Sequence, residues 1–424
     1  MRCLVDGISH QGEGVARING KAVFIPHALP GEELEIEIVE ERSRYSRGRI
    51  AGIYESSPER TATRCPHYYD CGGCAYQHVE YSRELELKRQ VVRDNLLRIG
   101  HIDKEVKPVL GLSSPWLYRN KVSWHLSGDG EHSYLAYYRG GSHDWVKITD
   151  CRLISRPMQE ASHYLNQMLP AVKFKPGATA VIRQSAVDDS LMLILYGLLA
   201  APPKAVIDQL SKNFASLYFS RGDDRVLAHA GGAKYLEGRL GEVKCRLSPE
   251  SFFQVNQQQA DRMIEIIKEQ AGLSGSQAVL DAYCGTGTIA LNMASRAASV
   301  TGIESNQSAI EDAKFNARSN NIHNADFITG NCEKVLPSLN KPFDLVILDP
   351  PRSGCQEQVI DAVITGSPAR IIYVSCNPST LARDLARFKQ SGYSAVEVQP
   401  VDMFPRTYHV ESIIMMTYSG SKGK

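Results

Sequence analysis

The sequence has no run of apolar residues that approaches the ~18 needed for a membrane-spanning helix. Its first residues, MRCLVDGISHQGEG, lack the charged stretch followed by an apolar core that is typical of a signal peptide. The sequence also contains no internal repeat, and its one low-complexity tract is the short SGSKGK ending. These absences predict a cytoplasmic protein that does not bind a membrane.

The sequence also has no excess of positive or negative charge, because 48 basic and 47 acidic residues give a formal net charge of +1. Any nucleic-acid binding must therefore come from local basic patches. A length of 424 residues exceeds what one hydrophobic core usually organises, so two or three domains are expected. In the reducing cytosol the ten cysteines are expected to be thiols, metal ligands or nucleophiles rather than disulfides.

The pattern of residues 1–55 predicts short strands separated by turns such as Asn19-Gly20. This spacing predicts a small, OB-like β-barrel, a fold that often carries RNA. Four arginines interleaved with a tyrosine form either a local RNA-binding patch or a solvated hairpin: Arg42, Arg44, Tyr45, Arg47 and Arg49.

Residues 56–245 predict a mixed α+β central domain that begins with a cysteine-rich loop. The run SRELELKRQVVRDNLLRIG is strongly helical, with Gly100 as a stop signal. The helical segment as a whole, at about 83–112, is expected to pack on the catalytic domain. Strands are expected at KVSWHLSG, SYLAYYRG and LMLILYGLL. Lys121 and Arg139 are candidates for contacts with phosphates, together with the arginines of the first module.

Residues 246–424 alternate apolar, β-rich runs with helical segments. The runs are AVLDAY, SVTGIES, DFITG, FDLVILDP and RIIYVSC. This alternation predicts an α/β domain with a doubly wound parallel sheet.

A cofactor loop is predicted where the first of these strands ends in DAYCGTGT. Gly285 and Gly287 allow a sharp turn and a close approach to a ligand. Glu304, at the end of the next strand, is placed to accept hydrogen bonds from ribose hydroxyls. The glycines alone would also fit a nicotinamide enzyme, but Asp281 resembles the acidic start of the S-adenosylmethionine loop in Rossmann-like methyltransferases.

Reactive residues are predicted at two further strand ends, Asp349 in Asp-Pro-Pro-Arg and Cys376 in Ser-Cys-Asn-Pro. Cys376 precedes a helix that begins near Pro378, and the helix N-terminus is expected to lower the pKa of the thiol. The alternative is a buried structural cysteine. Glu411 follows aromatic and apolar residues that would raise its pKa toward neutrality, although a lone glutamate is more often a surface charge.

A metal loop is predicted at Cys65-x5-Cys71-Gly-Gly-Cys74, where three thiolates share one short segment. A fourth ligand must come from elsewhere, and Cys151 is the predicted one. Zinc and an iron-sulfur cluster both accept four thiolates, so the spacing leaves the metal open. The competing fourth ligands are His67, His78, Cys3 and Cys245.

Taken together, Gln254-Val255-Asn256, DAYCGTGT, Asp349-Pro-Pro-Arg, SCNPSTLARD and MFPRTYHVES resemble the motif series of the RNA uridine-5 methyltransferases, in the same order. The barrel resembles a TRAM domain, and the cysteine loop extends the resemblance to nearly the full chain. The resemblance implies a Rossmann-like domain that transfers a methyl group from S-adenosylmethionine to carbon 5 of uridine in RNA.

The resemblance also implies the roles of single residues. Cys376 would be the nucleophile and Glu411 the base. Asp349 would additionally lie close to the target base. The chain departs from the family pattern at Thr288, where relatives often carry asparagine, and at Asn331, where an acidic residue is common. The predicted cofactor contacts are Gln254, Tyr283, Gly285, Gly287, Thr288, Glu304, Asn331 and Asp349.

For the cysteine loop the resemblance favours a four-iron, four-sulfur cluster over zinc, and it favours 23S rRNA over tRNA as the substrate. A monomer is expected, and no feature predicts a protein partner. One rival is methyl transfer to an exocyclic amine, which uses an aromatic residue where this chain has Arg352. The other is an RNA-binding protein without activity, which would leave Cys376 and Glu411 unexplained.

Overall fold

The structure is a computed structural model that describes residues 1–222, 227–339 and 341–420. Three regions follow one another: an N-terminal barrel, a central seven-stranded sheet and a C-terminal seven-stranded sheet. No helix in the described part of the chain combines the length and the apolar character that a membrane crossing requires.

The N-terminal barrel closes because its first strand pairs with its fourth, which gives the order β1-β2-β3-β5-β4. Inward-facing Leu34 and Ile36 alternate with outward glutamates along the fourth strand. Asn19 and Gly20 have φ values of 52° and 80° and make the two-residue turn predicted between the second and third strands. The strands are β1 (Arg2–Ile8), β2 (Gly14–Ile18), β3 (Lys21–Ile25), β4 (Glu33–Glu41) and β5 (Tyr45–Glu55).

The central region is one sheet in the order β12-β11-β10-β9-β6-β7-β8, preceded by a helix. Helices α2 and α3 cover one face, where Trp124 and Leu165 are buried in a shared core. The elements are α1 (Tyr81–Arg98), β6 (Lys121–Ser127), β7 (Tyr134–Tyr138), β8 (Trp145–Lys147), α2 (Arg156–Met168), β9 (Phe174–Gln184), β10 (Leu191–Leu198), α3 (Lys204–Leu210), β11 (Ser216–Arg221) and β12 (Ala228–Gly232).

The C-terminal region begins with a hairpin and continues as a doubly wound sheet in the order β17-β16-β15-β18-β19-β21-β20. Strands β15 to β19 are parallel and coincide with the five predicted apolar runs, while β21 inserts antiparallel between β19 and β20. The elements are β13 (Leu236–Leu240), β14 (Val243–Leu247), α4 (Gln257–Ala271), β15 (Ala278–Ala282), α5 (Thr288–Ala294), β16 (Ser299–Glu304), α6 (Gln307–Ser319), β17 (Ala325–Thr329), α7 (Cys332–Val335), β18 (Leu345–Leu348), α8 (Glu357–Gly366), β19 (Arg370–Ser375), α9 (Pro378–Gln390), β20 (Tyr393–Val401) and β21 (Glu411–Tyr418).

This architecture confirms the predicted fold class, but the helix expected at about 83–112 is shorter. Helix α1 packs against α9, as expected, and ends at Arg98. Gly100 lies so close to α9 that a Cβ there would be 3.0 Å from the carbonyl oxygen of Ala382. The chain beyond it is extended, and Leu110 pairs in parallel with Val401. The prediction of a helix to residue 112 was therefore wrong, and the predicted stop at Gly100 is confirmed.

A buried charge network ties α1 to the chain segment that precedes Glu411. Lys88 Nζ donates to Glu84 and to Asp402, each at 2.7 Å, and to the carbonyl of Phe404 at 3.2 Å. The carboxylate of Glu84 also accepts the backbone N–H of Arg406 at 2.7 Å. The network fixes the segment 402–406 against the helix.

We expect Lys88→Met to lower the free energy of unfolding by roughly 3–5 kcal/mol, because it removes the cation that Asp402 and Glu84 share and leaves Glu84 with Arg406 alone, at 3.4 Å. Urea-induced unfolding followed by circular dichroism measures the loss. The matched control is Lys107→Met, which removes the ion pair to Glu397 from a side chain that is 49% exposed and should cost at most about 1 kcal/mol. Equal costs for the two variants would contradict the structural role of the network.

Candidate active site

A cleft opens at the carboxyl ends of β15 and β18, where the order of the strands along the sheet reverses. Phe252 and Phe253, to which the sequence analysis gave no role, line the cleft, and Phe252 is 63% exposed. Five of the predicted cofactor residues line it as well: Gln254, Tyr283, Gly285, Thr288 and Asp349.

The loop between β15 and α5 turns sharply because three of its residues have positive φ. The values are 66° for Tyr283, 54° for Gly285 and 75° for Gly287. A Cβ at Gly287 would lie 2.7 Å from the ring of Phe327, so the position requires glycine. The strained conformation of Tyr283 costs on the order of 1–3 kcal/mol, and such strain concentrates at functional sites.

Glu304 supports this loop from the end of β16. Its carboxylate accepts the backbone N–H of Gly285 at 3.3 Å and that of Asn306 at 2.8 Å. Asn331 follows β17 and is exposed at the start of α7. Neither Glu304 nor Asn331 lines the cleft, although both stand at the same edge of the sheet.

Two carboxyl groups near the cleft, the buried Asp281 and the half-buried Asp349, carry little compensating positive charge. Burial raises the pKa of Asp281 to about 8, and one of its oxygens accepts the backbone N–H of Ala290 at 2.9 Å. Burial raises the pKa of Asp349, which lines the cleft, to about 7. A cationic ligand in the cleft would stabilise both carboxylates. The positive sulfonium of S-adenosylmethionine fits this requirement.

We expect Asp349→Asn to raise the melting temperature at pH 8 and to change it little at pH 4. A carboxyl group whose folded pKa is raised to about 7 binds more protons in the folded than in the unfolded protein between about pH 4 and pH 7. It therefore destabilises the fold as the pH rises through that window. Thermal melts without ligand test this, with Asp361→Asn as the control because that side chain is 61% exposed.

The predicted nucleophile and base face each other at this edge. Cys376 follows β19 directly, and Glu411 is the first residue of β21. Ser375 pairs with Ser412 in the antiparallel register, so the next pair in that register is Cys376 and Glu411. Asp349, at the end of the neighbouring β18, adds its charge to both residues. The sheet thus gathers three residues from three separate motifs.

The expected lowering of the pKa of Cys376 by the helix N-terminus is not what the structure shows. Helix α9 begins at Pro378, as predicted, with Asn377 as its cap. Burial, however, together with the nearby carboxylates of Glu411 and Asp349, raises the pKa of the Cys376 thiol to about 11 against the opposing charge of Arg352. Desolvation outweighs the partial charge of the helix end.

Glu411 has the desolvated environment that its neighbours in the sequence suggested. Its side chain is buried, and burial together with the charge of Asp349 raises its pKa to about 8, against the opposing charge of Arg352. A carboxyl group with this pKa can exchange a proton near neutral pH.

Arg352 and His409 complete the site, and the sequence analysis assigned neither a role. The guanidinium of Arg352 lies 3.0 Å from His409 Nε2. Burial and the charge of Arg352 lower the pKa of His409 to about 3, so the ring is neutral and accepts the hydrogen bond. The carbonyl of Arg352 also accepts from the side chain of Asn377 at 3.0 Å. Arg352 follows the Asp-Pro-Pro motif and His409 precedes Val-Glu, and this proximity to two predicted motifs could have identified them as site residues.

Comparison with known proteins agrees with this geometry. Residues 234–419 match the family described as tRNA (uracil-5-)-methyltransferase, and residues 1–51 match the TRAM domain. A Bacillus cereus protein described as an uncharacterized RNA methyltransferase is 36% identical over 97% of this chain and 95% of its own length. A Clostridium tetani protein of the same description is 36% identical over 99% of this chain and 96% of its own.

The chain belongs to the tRNA (uracil-5-)-methyltransferase family.

A solved relative extends the likeness to the whole molecule. The tRNA (uracil-54, C5)-methyltransferase of Pyrococcus abyssi, in complex with S-adenosyl-L-homocysteine, has a TM-score of 0.79 and 27% identity, and the match covers 98% of this chain and 100% of that one. The protein is thus an S-adenosylmethionine-dependent methyltransferase that acts on carbon 5 of uracil in RNA. The predicted family, fold and reaction are confirmed.

In this uracil-5 methyltransferase the four predicted metal ligands Cys65, Cys71, Cys74 and Cys151 line one cavity of about 120 Å³. Burial raises the pKa of the Cys71 thiol to about 11, and the pKa of Cys74 is raised further. Across the described ranges, no three His, Cys, Asp or Glu side chains are arranged to share a single metal ion. The cavity therefore brings the four predicted thiols to one place.

The competing fourth ligands lie in different places. His67 lines the same cavity and contacts Thr149 at 3.0 Å. His78 is buried and lies 2.6 Å from the hydroxyl of Tyr68. Cys3 belongs to the barrel core and Cys245 to the core of the C-terminal region. Only His67 remains a rival of Cys151 by position.

Most predicted RNA-binding arginines of the barrel are already in ion pairs. Arg42 pairs with Glu40 at 2.6 Å, and Arg47 pairs with Glu13 at the same distance. Arg49 pairs with Glu37, and Arg139 of the central region pairs with Asp70. Exposed ion pairs of this kind contribute little to the stability of the fold, so their arginines can contact phosphates instead. Lys121 is half-buried, and burial together with Arg183 lowers its pKa to about 8.

Proposed function

We propose that this methyltransferase modifies a uridine of 23S ribosomal RNA through a covalent bond between Cys376 Sγ and carbon 6 of the base, with Glu411 as the proton acceptor. The observation that carries the proposal is the strand register that sets Cys376 opposite Glu411 beside Asp349. Asp349 links the two halves of the site, because it also lines the cofactor cleft.

The proposed mechanism follows from the low nucleophilicity of carbon 5 of uracil, which cannot take a methyl group unaided. After its proton leaves to solvent, Cys376 Sγ bonds to carbon 6 and the C5–C6 double bond opens to an enolate. Carbon 5 then takes the methyl group that S-adenosylmethionine supplies, and S-adenosylhomocysteine leaves. Glu411 removes the proton from carbon 5, the double bond re-forms and the thiolate is expelled.

The surrounding charges make this order of events reasonable. A thiol pKa of about 11 keeps Cys376 mostly protonated in the ligand-free enzyme. Binding of a sulfonium cation beside Asp349 would offset one of the two carboxylates that raise this pKa. Arg352, held by His409, supplies the remaining positive charge near the thiol. The proposed contacts of S-adenosylmethionine are the predicted cofactor residues that line the cleft or support its loop. Asn331, at the same edge of the sheet, is proposed as a further contact.

We further propose that Cys65, Cys71, Cys74 and Cys151 hold a four-iron, four-sulfur cluster with a structural or RNA-positioning role. Four thiolates around one zinc ion at ~2.3 Å must crowd together, whereas the cavity of about 120 Å³ suits a larger group. No step of the proposed methyl transfer requires an electron.

We expect Cys74→Ser and Cys151→Ser to lose the bound iron and sulfide, because each removes one of four ligands from a thiolate-only site. Iron, zinc and sulfide analysis of anaerobically purified protein measures this. Cys245→Ser is the matched control, since its thiol is a buried cysteine outside the cavity, and it should retain the group. Stoichiometric zinc without iron would reverse the assignment of the metal.

Support for ribosomal RNA comes from the combination of a TRAM module and a cysteine loop, which resembles enzymes of that class. A second candidate is tRNA, favoured by the full-length similarity to the Pyrococcus abyssi tRNA enzyme. Mapping 5-methyluridine in the ribosomal and transfer RNA of cells with and without the gene tests both. Loss of the modification from tRNA alone would establish the second candidate, and no loss from either RNA would refute both.

A further inference from the structure

An aromatic cluster covers the exposed end of the central sheet and has no role in the proposed chemistry. The rings of Tyr138 and Trp145 stack with centroids 4.4 Å apart and planes 18° apart. His125 lies 4.6 Å from Tyr138 and 4.9 Å from Trp145, and His143 lies 5.4 Å from Tyr138. Tyr138 is 36% exposed, and His143 is exposed. We call these four residues the aromatic platform.

The platform lies on the sheet face that the C-terminal region covers in part. Residues directly opposite each other in neighbouring strands share a face. Ser123 pairs with Val181, and Val181 with Ile194. Both Val181 and Ile194 are buried in the same core as Phe253 and Cys284 of the C-terminal region. His125, two residues after Ser123, therefore points to the same side but beyond the covered area.

This face leads directly to the cofactor cleft. Asn120 donates its backbone N–H to Val255 at 2.9 Å and its side-chain amide to the carbonyl of Gln254 at 3.0 Å. Strand β6 starts at the next residue, Lys121, and reaches His125 after about 13 Å, given roughly 3.3 Å per residue. A strand of RNA whose target base enters the cleft would thus pass along Lys121 toward the platform.

The charges along the face suit a polyanion. Lys121 stands at the cleft end, and Lys147, on the same face as Trp145, is exposed. Its ammonium lies 5.6 Å from the ring centroid of Tyr134. Asp144 is the acidic neighbour and accepts from Ser142 at 3.2 Å. Aromatic rings between cations are the arrangement by which sheet surfaces bind unpaired RNA bases.

We propose that the aromatic platform stacks unpaired bases of the substrate RNA next to the target uridine. The inference rests on the proposed RNA substrate but not on the covalent mechanism, because its test measures binding in the absence of S-adenosylmethionine. The platform would favour single-stranded RNA over a duplex, whose bases are already stacked.

The test is the affinity of the full-length enzyme for a fluorescently labelled single-stranded oligouridine. Tyr138→Ala should weaken binding by about tenfold, since stacking of one base contributes a factor on the order of 5 to 150. Tyr138→Phe keeps the ring and should stay within about twofold of the unmodified enzyme. Tyr418→Ala is the matched control, because Tyr418 is 39% exposed and sits at the end of β21 far from Glu411.

Salt dependence separates stacking from charge. The plot of log affinity against log salt should keep its slope in Tyr138→Ala and become shallower in Lys147→Ala, which removes a phosphate contact. Circular dichroism melts establish that each variant is folded. Unchanged affinity in a folded Tyr138→Ala, or an equal loss in Tyr418→Ala, would overturn the proposal. A loss in Tyr138→Phe as large as in Tyr138→Ala would also overturn it, because the hydroxyl rather than the ring would then be responsible.

Discussion

Replacing Cys376 with alanine is expected to reduce methyl transfer to RNA by on the order of 10⁴-fold or more, because uracil then has no group that can activate its carbon 5. Transfer of a labelled methyl group to unmodified RNA, measured in a single turnover, gives the rate. The affinity for S-adenosylmethionine should change little, since Cys376 does not line the cofactor cleft.

The matched control is Cys245→Ala, which removes a thiol that is 6% exposed in the core of the same region. It should lose some stability and keep its turnover rate. If Cys376→Ala methylated RNA at the normal rate, the covalent mechanism would be wrong. If both variants lost activity together, the cause would be the fold rather than the nucleophile.

The fold of the C-terminal half could be predicted because its sequence signals are local. Apolar runs such as Leu345–Leu348 are buried on both faces and stand out as continuous stretches. Reactive residues at the ends of parallel strands share one edge by topology, so Asp349 and Cys376 could be placed together before any coordinates. The barrel could be predicted for a similar reason, because its short strands are separated by local turn signals such as Asn19-Gly20.

The central region was less predictable because its sheet depends on distant pairings. Strand β6 lies between β7 and β9, and its partners in β9 are distant in the sequence, because Lys121 pairs with Arg183 and His125 with Thr179. Local periodicity contains no information on such a register. The aromatic platform lies on the consecutive strands β6, β7 and β8, and its rings meet through the register of these pairings rather than through a sequence motif.

The pKa values of the site residues could not be predicted, because they depend on burial and on charges that only the folded chain brings together. A helix N-terminus beside Cys376 was correctly placed, but its effect on the pKa of the thiol is smaller than that of burial and of Glu411. Glu411 comes from a strand 35 residues further on, and only the antiparallel insertion of β21 brings it to the thiol. Arg352 and His409 meet through the same insertion.

Glu411→Gln is expected to form the new carbon–carbon bond and then stop as a covalent protein–RNA adduct. The amide cannot accept the proton on carbon 5, so the C5–C6 double bond cannot re-form and the Cys376 sulfur is not released. The adduct should appear on a denaturing gel as a protein band shifted by the mass of the RNA, and it should contain the labelled methyl group. Release of free methylated RNA should fall by about 10²- to 10⁴-fold.

Three comparisons make this result specific to the proton acceptor. RNA with 5-fluorouridine at the target position should trap the unmodified enzyme in the same adduct, because fluorine on carbon 5 cannot leave as a proton. Cys376→Ala combined with Glu411→Gln should form no adduct at all. Glu397→Gln, which alters an ion-paired carboxylate on the neighbouring strand β20, should turn over normally. A Glu411→Gln enzyme that releases methylated RNA at the usual rate would assign proton removal to another group. Asp349, the other carboxyl group that raises the pKa of Cys376, would then be the next residue to test.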